Sequence, residues 1–447
     1  MTERDVALTV AGSDSGGGAG VQADLKTMEA HGVFGTSALT SVTAQNTRGV
    51  EAIEDVSTDV IAAQIRAVAD DFAVGAAKTG MLSSTVIIET VADCLAPREF
   101  PLVVDPVMVA QSGDRLLAEE AETVLQEKLL PQATLVTPNL PEAAVLTDMA
   151  VEDEDDMRAA AAEIAADGPD GVLVTGGHLH EDELVDVLSA DGETRTFRKP
   201  RRDTADTHGS GCTISASIAA ELAGGATVPA AVERAETFID RAVRYGLAVG
   251  NGAGPVNHLA GLYNDAARAG ALAEVRDLVD ALETHDVAAL VPEVGLNVAI
   301  ATPYAMDADD VAAIDGRLHR TTDGVVAADC PRLGASDHVA RLLLAAREHD
   351  SALRAAANVR LDDAVAAAVT QHFDAVEVDR TAEPDAVGEE RADDSAAWAV
   401  ERAMAGRETV PTAVFDRGAL GWEAMCRLFA RSPATLQERL LALAGTV

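Results

Sequence analysis

Apolar, β-branched runs recur through the first half of the chain, and polar or glycine-rich turns close each of them. The first run covers residues 6–10 and enters a loop of Gly, Ser and Asp at 12–20, after which the pattern predicts a helix over 21–31. Further strands are expected at 73–77, 102–104, 134–137 and 171–175, with alanine-rich helical stretches such as 118–130 and 157–166 between them. Such alternation argues for a mostly parallel sheet covered by helices. A helix expected over 229–249 ends at residues 251–258, which hold too many breakers to continue it. Domain one is therefore placed at 1–262. Residues 264–284 read as a helix that bridges the domains or opens the second one. Strand patterns resume at 297–301, 324–328, 375–378 and 412–415, again separated by helical stretches, so a second, smaller α/β domain is placed at 272–447.

Length agrees with two domains, since 447 residues exceed one ordinary core. Hydrophobic residues make up 48% and aromatics only 3%, so the cores are built from Ala, Val, Leu and Ile. The formal charge of −40 arises from 74 acidic and 34 basic residues, and only Lys26, Lys78, Lys128 and Lys199 are lysines. Self-repulsion of that density is best screened in molar salt, where the Debye length falls to about 3 Å. A salt-loving source is expected, an acidic protein of ordinary salt being the alternative. The same charge repels phosphate backbones and anionic lipid, which argues against nucleic-acid and membrane partners. No run of about 18 apolar residues occurs and the start, residues 1–5, carries charges rather than a signal-like pattern, so a soluble, cytoplasmic protein is expected. Cys94, Cys212, Cys330 and Cys426 lie far apart without CxxC spacing and read as reduced thiols.

Polar residues gather where the strands of domain one end, at Gly12, Lys78, Asp105, Asn139 and Gly176. In open α/β sheets that edge binds ligands, so one site built from distant segments is expected. Gly209, Ser210, Gly211 and Cys212 open a helix over 213–222. Inward-turned amides and the positive helix end suit an anion or a migrating phosphoryl group. There the Cys212 thiol is expected to have a lowered pKa and to accept a proton from an attacking hydroxyl. A glycine helix entry with a small packed cysteine is the plain structural alternative. Asp105, Asn139 and Glu142 at strand ends suit Mg²⁺ held partly through water, while Asn139 equally suits a helix N-cap. The glycine-rich loop lacks GxGxxG spacing, and the chain has no GxxxxGK[ST] loop.

The segments AGSDSGGGAGVQADLKT, TAQNT, KTGML, VVDPVMVAQSG, TPNLPEA, GGHL, THGSGCT and GPVNH, spread over residues 11–258, resemble hydroxymethylpyrimidine (phosphate) kinases in order and in detail. The resemblance implies a ribokinase-like α/β/α sandwich, ATP and Mg²⁺, and a homodimer. It implies Gln45 as the polar partner of an aminopyrimidine, with Gly12, Asp24 and Met81 shaping the pocket. Asp105, Asn139, Glu142 and Thr175 fall to the nucleotide, with Asp105 and Glu142 toward the metal. Gly209, Ser210 and Gly211 become the anion hole, with Cys212 the base. Two positions depart from the family: Thr175 stands before Gly176, Gly177 and His178 where a lysine is usual, and Ser210 where a threonine is usual. Loss of that lysine would either weaken ATP binding or be compensated by salt or by another cation, for which Lys78 and Arg202 are the candidates.

In domain two, Arg317, Arg320, Arg332 and Arg380 are natural phosphate binders in so acidic a chain. His338 opens a helix over 338–348, which Ser336 or Asp337 could cap. Residues 272–447 resemble the thiamine-phosphate synthase domain found fused to this kinase in archaea, through the arrangement of Gly316-Arg317 and Gly334-Ala-Ser-Asp-His338. Arg317 and His338 are implied as functional, while Asn358, Asp416 and Glu423 lie in matching stretches without an assigned role. The combined resemblance implies stepwise phosphorylation of hydroxymethylpyrimidine, then condensation of its diphosphate with hydroxyethylthiazole phosphate and loss of pyrophosphate. Fusion would keep one product near its consumer. A thiamine-phosphate sensor in domain two and vitamin B6 kinase activity in domain one are the alternatives.

Overall fold

The computed structural model describes residues 4–109, 116–176, 183–383, 392–419 and 422–447. It divides into two units, Met1–Gly261 and Leu262–Val447.

The first unit contains β1 (Val6–Ala11), β2 (Phe34–Leu39), β3 (Ser41–Asn46), β4 (Gly49–Asp55), β5 (Val74–Thr79), β6 (Leu102–Val104), β7 (Leu135–Val136), β8 (Gly171–Thr175), β9 (Glu183–Ala190) and β10 (Glu193–Pro200). Eight of these form one sheet in the order β10-β9-β8-β7-β6-β5-β1-β2, while β3 and β4 pair as a separate ribbon. Neighbours from β2 to β8 are parallel, and β9 runs antiparallel to both β8 and β10. The sheet is thus mixed at one edge. The sequence pattern missed that hairpin because β10 is largely exposed and shows no apolar run.

The helices are α1 (Gly20–Ala30), α2 (Thr58–Ala69), α3 (Thr85–Leu95), α4 (Glu119–Val124), α5 (Leu140–Thr147), α6 (Glu154–Ala166), α7 (Ser210–Ala223) and α8 (Val228–Arg244). Ile61, Ile65, Ile88, Val91, Met157 and Ile164 pack α2, α3 and α6 on one face. Ile214, Ile218, Val232 and Ile239 pack α7 and α8 on the other. This is an α/β/α sandwich. Because β1, β5, β6, β7 and β8 are parallel, the loops that follow them share one edge, where Ser215 of α7 also reaches the end of β6 by donating to Asp105 at 3.1 Å.

The second unit opens with α9 (Ala260–Thr284) and contains β11 (Val298–Ala301), β12 (Val311–Ile314), β13 (Leu318–Thr321), β14 (Gly324–Ala327), β15 (Pro331–Leu333), β16 (Ala355–Arg360), β17 (Ala375–Glu377), β18 (Ala413–Asp416) and β19 (Met425–Ala430). Its main sheet runs β15-β12-β11-β16-β19-β18-β17. Every pair is antiparallel except β17 with β18. The strand expected at 324–328 instead belongs to the hairpin of β13 and β14. Helices α9, α11 (Asp363–His372) and α13 (Pro433–Ala444) cover one face, and α10 (Asp337–His349) with α12 (Ala392–Met404) covers the other. The central strand β16 escaped the sequence pattern because its Ala-Ala-Ala start favours helix, and burial between two helical layers overrides that preference.

Candidate active sites

The loop after β1 is organised by a buried carboxylate. Asp14 accepts hydrogen bonds from the amides of Gly16 (2.7 Å), Gly18 (2.9 Å) and Ala19 (2.8 Å), and from His208 Nε2 at 3.3 Å. Burial would raise the Asp14 carboxyl, but the His208 bond and the loop amides overcome it and bring the pKa below its ordinary value. Gly209 carries φ 78° as the N-cap of α7, and a Cβ there would lie 1.9 Å from the Gly18 carbonyl oxygen. The two glycine turns therefore abut at the start of α7. His208 also reaches Gln45, whose Nε2 lies 3.5 Å from His208 Nε2. Gly12 faces Met81 so closely that a Cβ would come within 2.7 Å of the methionine methyl. Asp14 and His208 are thus organisers that the sequence reading passed over. Their signals were an acid inside a glycine loop and a histidine beside the Gly209 turn.

Beneath the turn lies a buried charge cluster. Lys78 Nζ bonds Asp24 at 2.8 and 3.0 Å and approaches Asp105 at 3.7 Å, while Thr9 donates to Asp24 at 2.6 Å. Burial would lower the Lys78 pKa, but Asp24, Cys212 and Asp105 raise it above its ordinary value. Lys78 is therefore an internal counter-ion, and Asp24 is wholly buried and occupied by Thr9 and Lys78. The expected depression of the Cys212 thiol is corrected. Burial pushes it up to about 12; Lys78 lowers it, while Asp105 and Asp24 add to the rise.

Asn139 and Glu142 form a reciprocal capping box at α5: Glu142 N donates to Asn139 Oδ1 at 2.9 Å and Asn139 N to Glu142 Oε2 at 3.0 Å. Burial, then Asp105, raises Glu142 to about 8. Asp105 is likewise raised, by burial first and by Asp24, with Lys78 opposing. Thr175 bridges to Asn139, and its amide donates to the Pro138 carbonyl at 2.9 Å. Gly177 and His178 lie outside the described residues. Arg202 pairs with Asp240 at 3.3 Å, and Lys199 is buried against Asp186 and Glu236. Among the described residues, no group of three or more His, Cys, Asp or Glu side chains is placed to hold a metal.

In the second unit, Arg317 and His338 line one cavity of about 430 Å³ together with Val294, Asn297, His319 and Ser336. Arg317 sits at φ 73° and donates to the Val294 carbonyl at 2.6 Å. That carbonyl's loop is held in turn by Glu423, which accepts the amides of Glu293 at 2.7 Å and Val294 at 3.3 Å. Ser336 occupies the N-cap position of α10, yet its side chain makes no capping bond. Burial, then Arg427, Arg380 and Arg317, push His338 down to about 4, with Asp416 opposing. The imidazole is neutral at pH 7. Arg320 instead bonds the Ala288 carbonyl, and Arg332 pairs with Asp315 at 2.7 Å, so neither joins this group. Asn358 is buried, spanning the Asn297 amide at 2.7 Å and the Gly295 carbonyl at 3.0 Å.

Comparison with known proteins follows the same division. Residues 14–257 match the family phosphomethylpyrimidine kinase, and residues 274–442 match thiamine-phosphate synthase ThiN. The hydroxymethylpyrimidine/phosphomethylpyrimidine kinase of Streptomyces coelicolor is 51% identical over 251 residues, which cover 56% of this chain and 93% of that protein. The thiamine biosynthesis bifunctional protein ThiED of Geobacter sulfurreducens is 47% identical over 57% of this chain and 52% of its own. Among solved structures, Bacillus subtilis pyridoxal kinase in an ADP complex aligns with TM-score 0.54 and 40% identity, covering 57% of this chain and 98% of that one. Pyridoxal kinase from Staphylococcus aureus with ADP aligns with TM-score 0.54 and 33% identity, covering 58% and 94%. The chain belongs to the phosphomethylpyrimidine kinase family and carries a thiamine-phosphate synthase ThiN domain after the kinase, which makes it a two-domain enzyme of thiamine biosynthesis.

Proposed function

We propose that the first unit transfers phosphoryl groups from Mg-ATP to hydroxymethylpyrimidine and then to its monophosphate. The hydroxymethyl oxygen attacks the γ-phosphorus and ADP leaves; a phosphate oxygen of the product attacks a second ATP in the same way. The first-turn amides of α7 face the migrating group, Gln45 meets the aminopyrimidine, and Gly12 and Met81 bound its pocket. Cys212, in its thiolate form, receives the hydroxyl proton. Asn139 and Thr175 lie on the nucleotide side. Asp105 and Glu142 fit a Mg²⁺ ion held mainly by substrate phosphates and water, because both carboxyls are raised by burial and by neighbouring negative charge, which a cation would relieve. The ion would neutralise charge on the transferring phosphates. The observation that carries this reading is the abutment of the Gly18 and Gly209 turns at the start of α7.

The second unit joins the pyrimidine diphosphate to hydroxyethylthiazole phosphate. The thiazole nitrogen lone pair forms the new C–N bond at the pyrimidine methylene, the C–O bond breaks, and pyrophosphate leaves. Arg317 offers charge to the phosphates, and neutral His338 offers a hydrogen bond. Their shared cavity carries this half of the reading. Incubation with hydroxymethylpyrimidine, hydroxyethylthiazole phosphate and Mg-ATP in concentrated salt should give thiamine phosphate by chromatography. A His338→Ala variant should accumulate pyrimidine diphosphate. Diphosphate without thiamine phosphate from the wild type would favour a sensor.

The net charge of −40 supports a cytoplasm of high salt. None of the described helices is long and apolar enough to cross a membrane. A second activity on vitamin B6 is favoured by the likeness to pyridoxal kinases at 40% identity. Phosphorylation of pyridoxal at a rate comparable with the pyrimidine would establish it.

A further inference from the structure

Four side chains form a buried polar row in the second unit, and the first of them, Asn297, also lines its cavity. Asn297, at the head of β11, meets Asn358 of β16 through the 2.7 Å bond from its amide. Asn358 stands directly opposite Arg427 of β19 in the antiparallel register. Arg427 in turn bonds Asp416, at the end of β18, on the same face of the sheet. Two residues further along these strands, Ala356, Val414 and Phe429 belong to the apolar layer under α10 and α12. The row is therefore where that layer turns polar, at the end of the sheet where α10 begins with Asp337 and His338.

The charges in the row are unevenly matched. Arg380 has a carboxylate of its own, Glu383 at 2.9 Å, as well as Ser395 at 2.8 Å, the ring of Trp422 at 4.9 Å and a share of Asp416 at 3.3 Å. Among the described residues Arg427 has only its share of Asp416, though it is 3% exposed, and its Nε–H is buried without a hydrogen-bond acceptor. A buried guanidinium with a donor left over costs stability unless an anion completes it. Planar guanidinium donors match phosphate oxygens in geometry as well as charge.

We propose that Arg427 is a further anion-binding residue of the second unit, aimed by Asp416 and Arg380 to complete the site of Arg317 and His338 around a phosphoryl group of the ligand. The inference rests on the synthase reading and adds the residue that meets the phosphate from the sheet side. The group it meets belongs either to the diphosphate that departs or to the ester phosphate of the thiazole.

Trp422 supplies the readout, because it is 52% exposed, stacks on Arg380 and is one of only two tryptophans. In a Trp398→Phe background, inorganic pyrophosphate and hydroxyethylthiazole phosphate would each be titrated against Trp422 emission, with Arg427→Met and Arg427→Lys beside the parent. Saturable binding in the parent, weakened about tenfold or more by Arg427→Met, is expected for one of the two ligands. Arg427→Lys should bind that ligand at intermediate strength, because it keeps the charge and loses the fork. The ligand that loses affinity names the phosphate. If Arg427→Met does not fold by circular dichroism, the lysine variant decides. Unaltered affinity for both ligands in the folded variant, while the parent makes thiamine phosphate, overturns the role of Arg427 alone. A parent that neither binds these ligands nor makes thiamine phosphate overturns the synthase reading with it.

Discussion

Gly209 and Gly18 touch backbone to backbone, the space at Gly209 being so closed that a Cβ would stand 1.9 Å from the Gly18 carbonyl oxygen. At φ 78°, Gly209 also occupies a conformation that side chains rarely adopt. Gly209→Ala should therefore separate the two loops and abolish most kinase activity, about a hundredfold or more given what loss of a single anion-hole donor costs. The same variant, supplied with pyrimidine diphosphate, should still form thiamine phosphate at the wild-type rate. Loss of both activities would mean that the contact holds the whole chain together.

Cys212 makes a prediction about pH. A thiol pushed up to about 12 rests protonated at pH 7, so a proton-accepting role requires the rate to climb with pH through the alkaline range. Saturated kinase turnover should rise steadily between pH 7 and about 9.5. Cys212→Ala should be slower by about 10²- to 10⁴-fold and flat over the same interval. A flat wild-type profile would leave the sulfur as a packing or positioning group.

Lys78 and Asp24 are both wholly buried, and each is the other's counter-ion. Lys78→Met would strand a carboxylate in the interior, at a cost of about 3–5 kcal/mol. Denaturant unfolding of the first unit should show that loss. The double variant Lys78→Met, Asp24→Leu should recover much of it, because neither charge then remains.

His338 titrates at about 4 in the fold against an ordinary value of 6.5. The unfolded chain therefore takes up the proton first as pH falls, and stability of the second unit is lost progressively between about pH 6.5 and 4. His338→Gln should lose less thermal stability than wild type on going from pH 7 to 5. Equal losses would place the imidazole in a more open setting.

The surplus of 74 acidic over 34 basic residues should make salt stabilising. Raising KCl from about 0.15 M to 1 M shortens the Debye length from about 8 to 3 Å and should raise the midpoint of thermal unfolding. A fall would show that ion pairs such as Arg354 with Glu274 outweigh the repulsion.

Much of the first unit was legible along the chain, because its central strands are short apolar runs buried on both faces and its loops carry glycine and carboxylate where the strands stop. The segments around Gly12, Lys78, Asp105, Asn139 and Gly176 therefore announced a shared edge before any fold was known. Local pattern determined less in the second unit, where β16 begins with three alanines and looks helical, and β13 with β14 forms a hairpin outside the main sheet. Arg317 and His338 were visible as residues in a motif. That Arg427 shares its face of the sheet with Asn358 and Asp416 depends on strand register between β16, β18 and β19, which no local stretch encodes.

The chemistry of Cys212, Asp24 and Lys78 divides in the same way. Residue type and neighbours in sequence place a thiol at a helix start, and a helix end by itself lowers a thiol's pKa. Only the tertiary structure brings Asp24 and Asp105 beneath it and removes the water, and burial with negative neighbours reverses the direction. Sequence determined which groups are present and where the turns fall. Packing decided which charges face one another, because electrostatic energy depends on distance and solvent exposure, and neither is written in the order of residues.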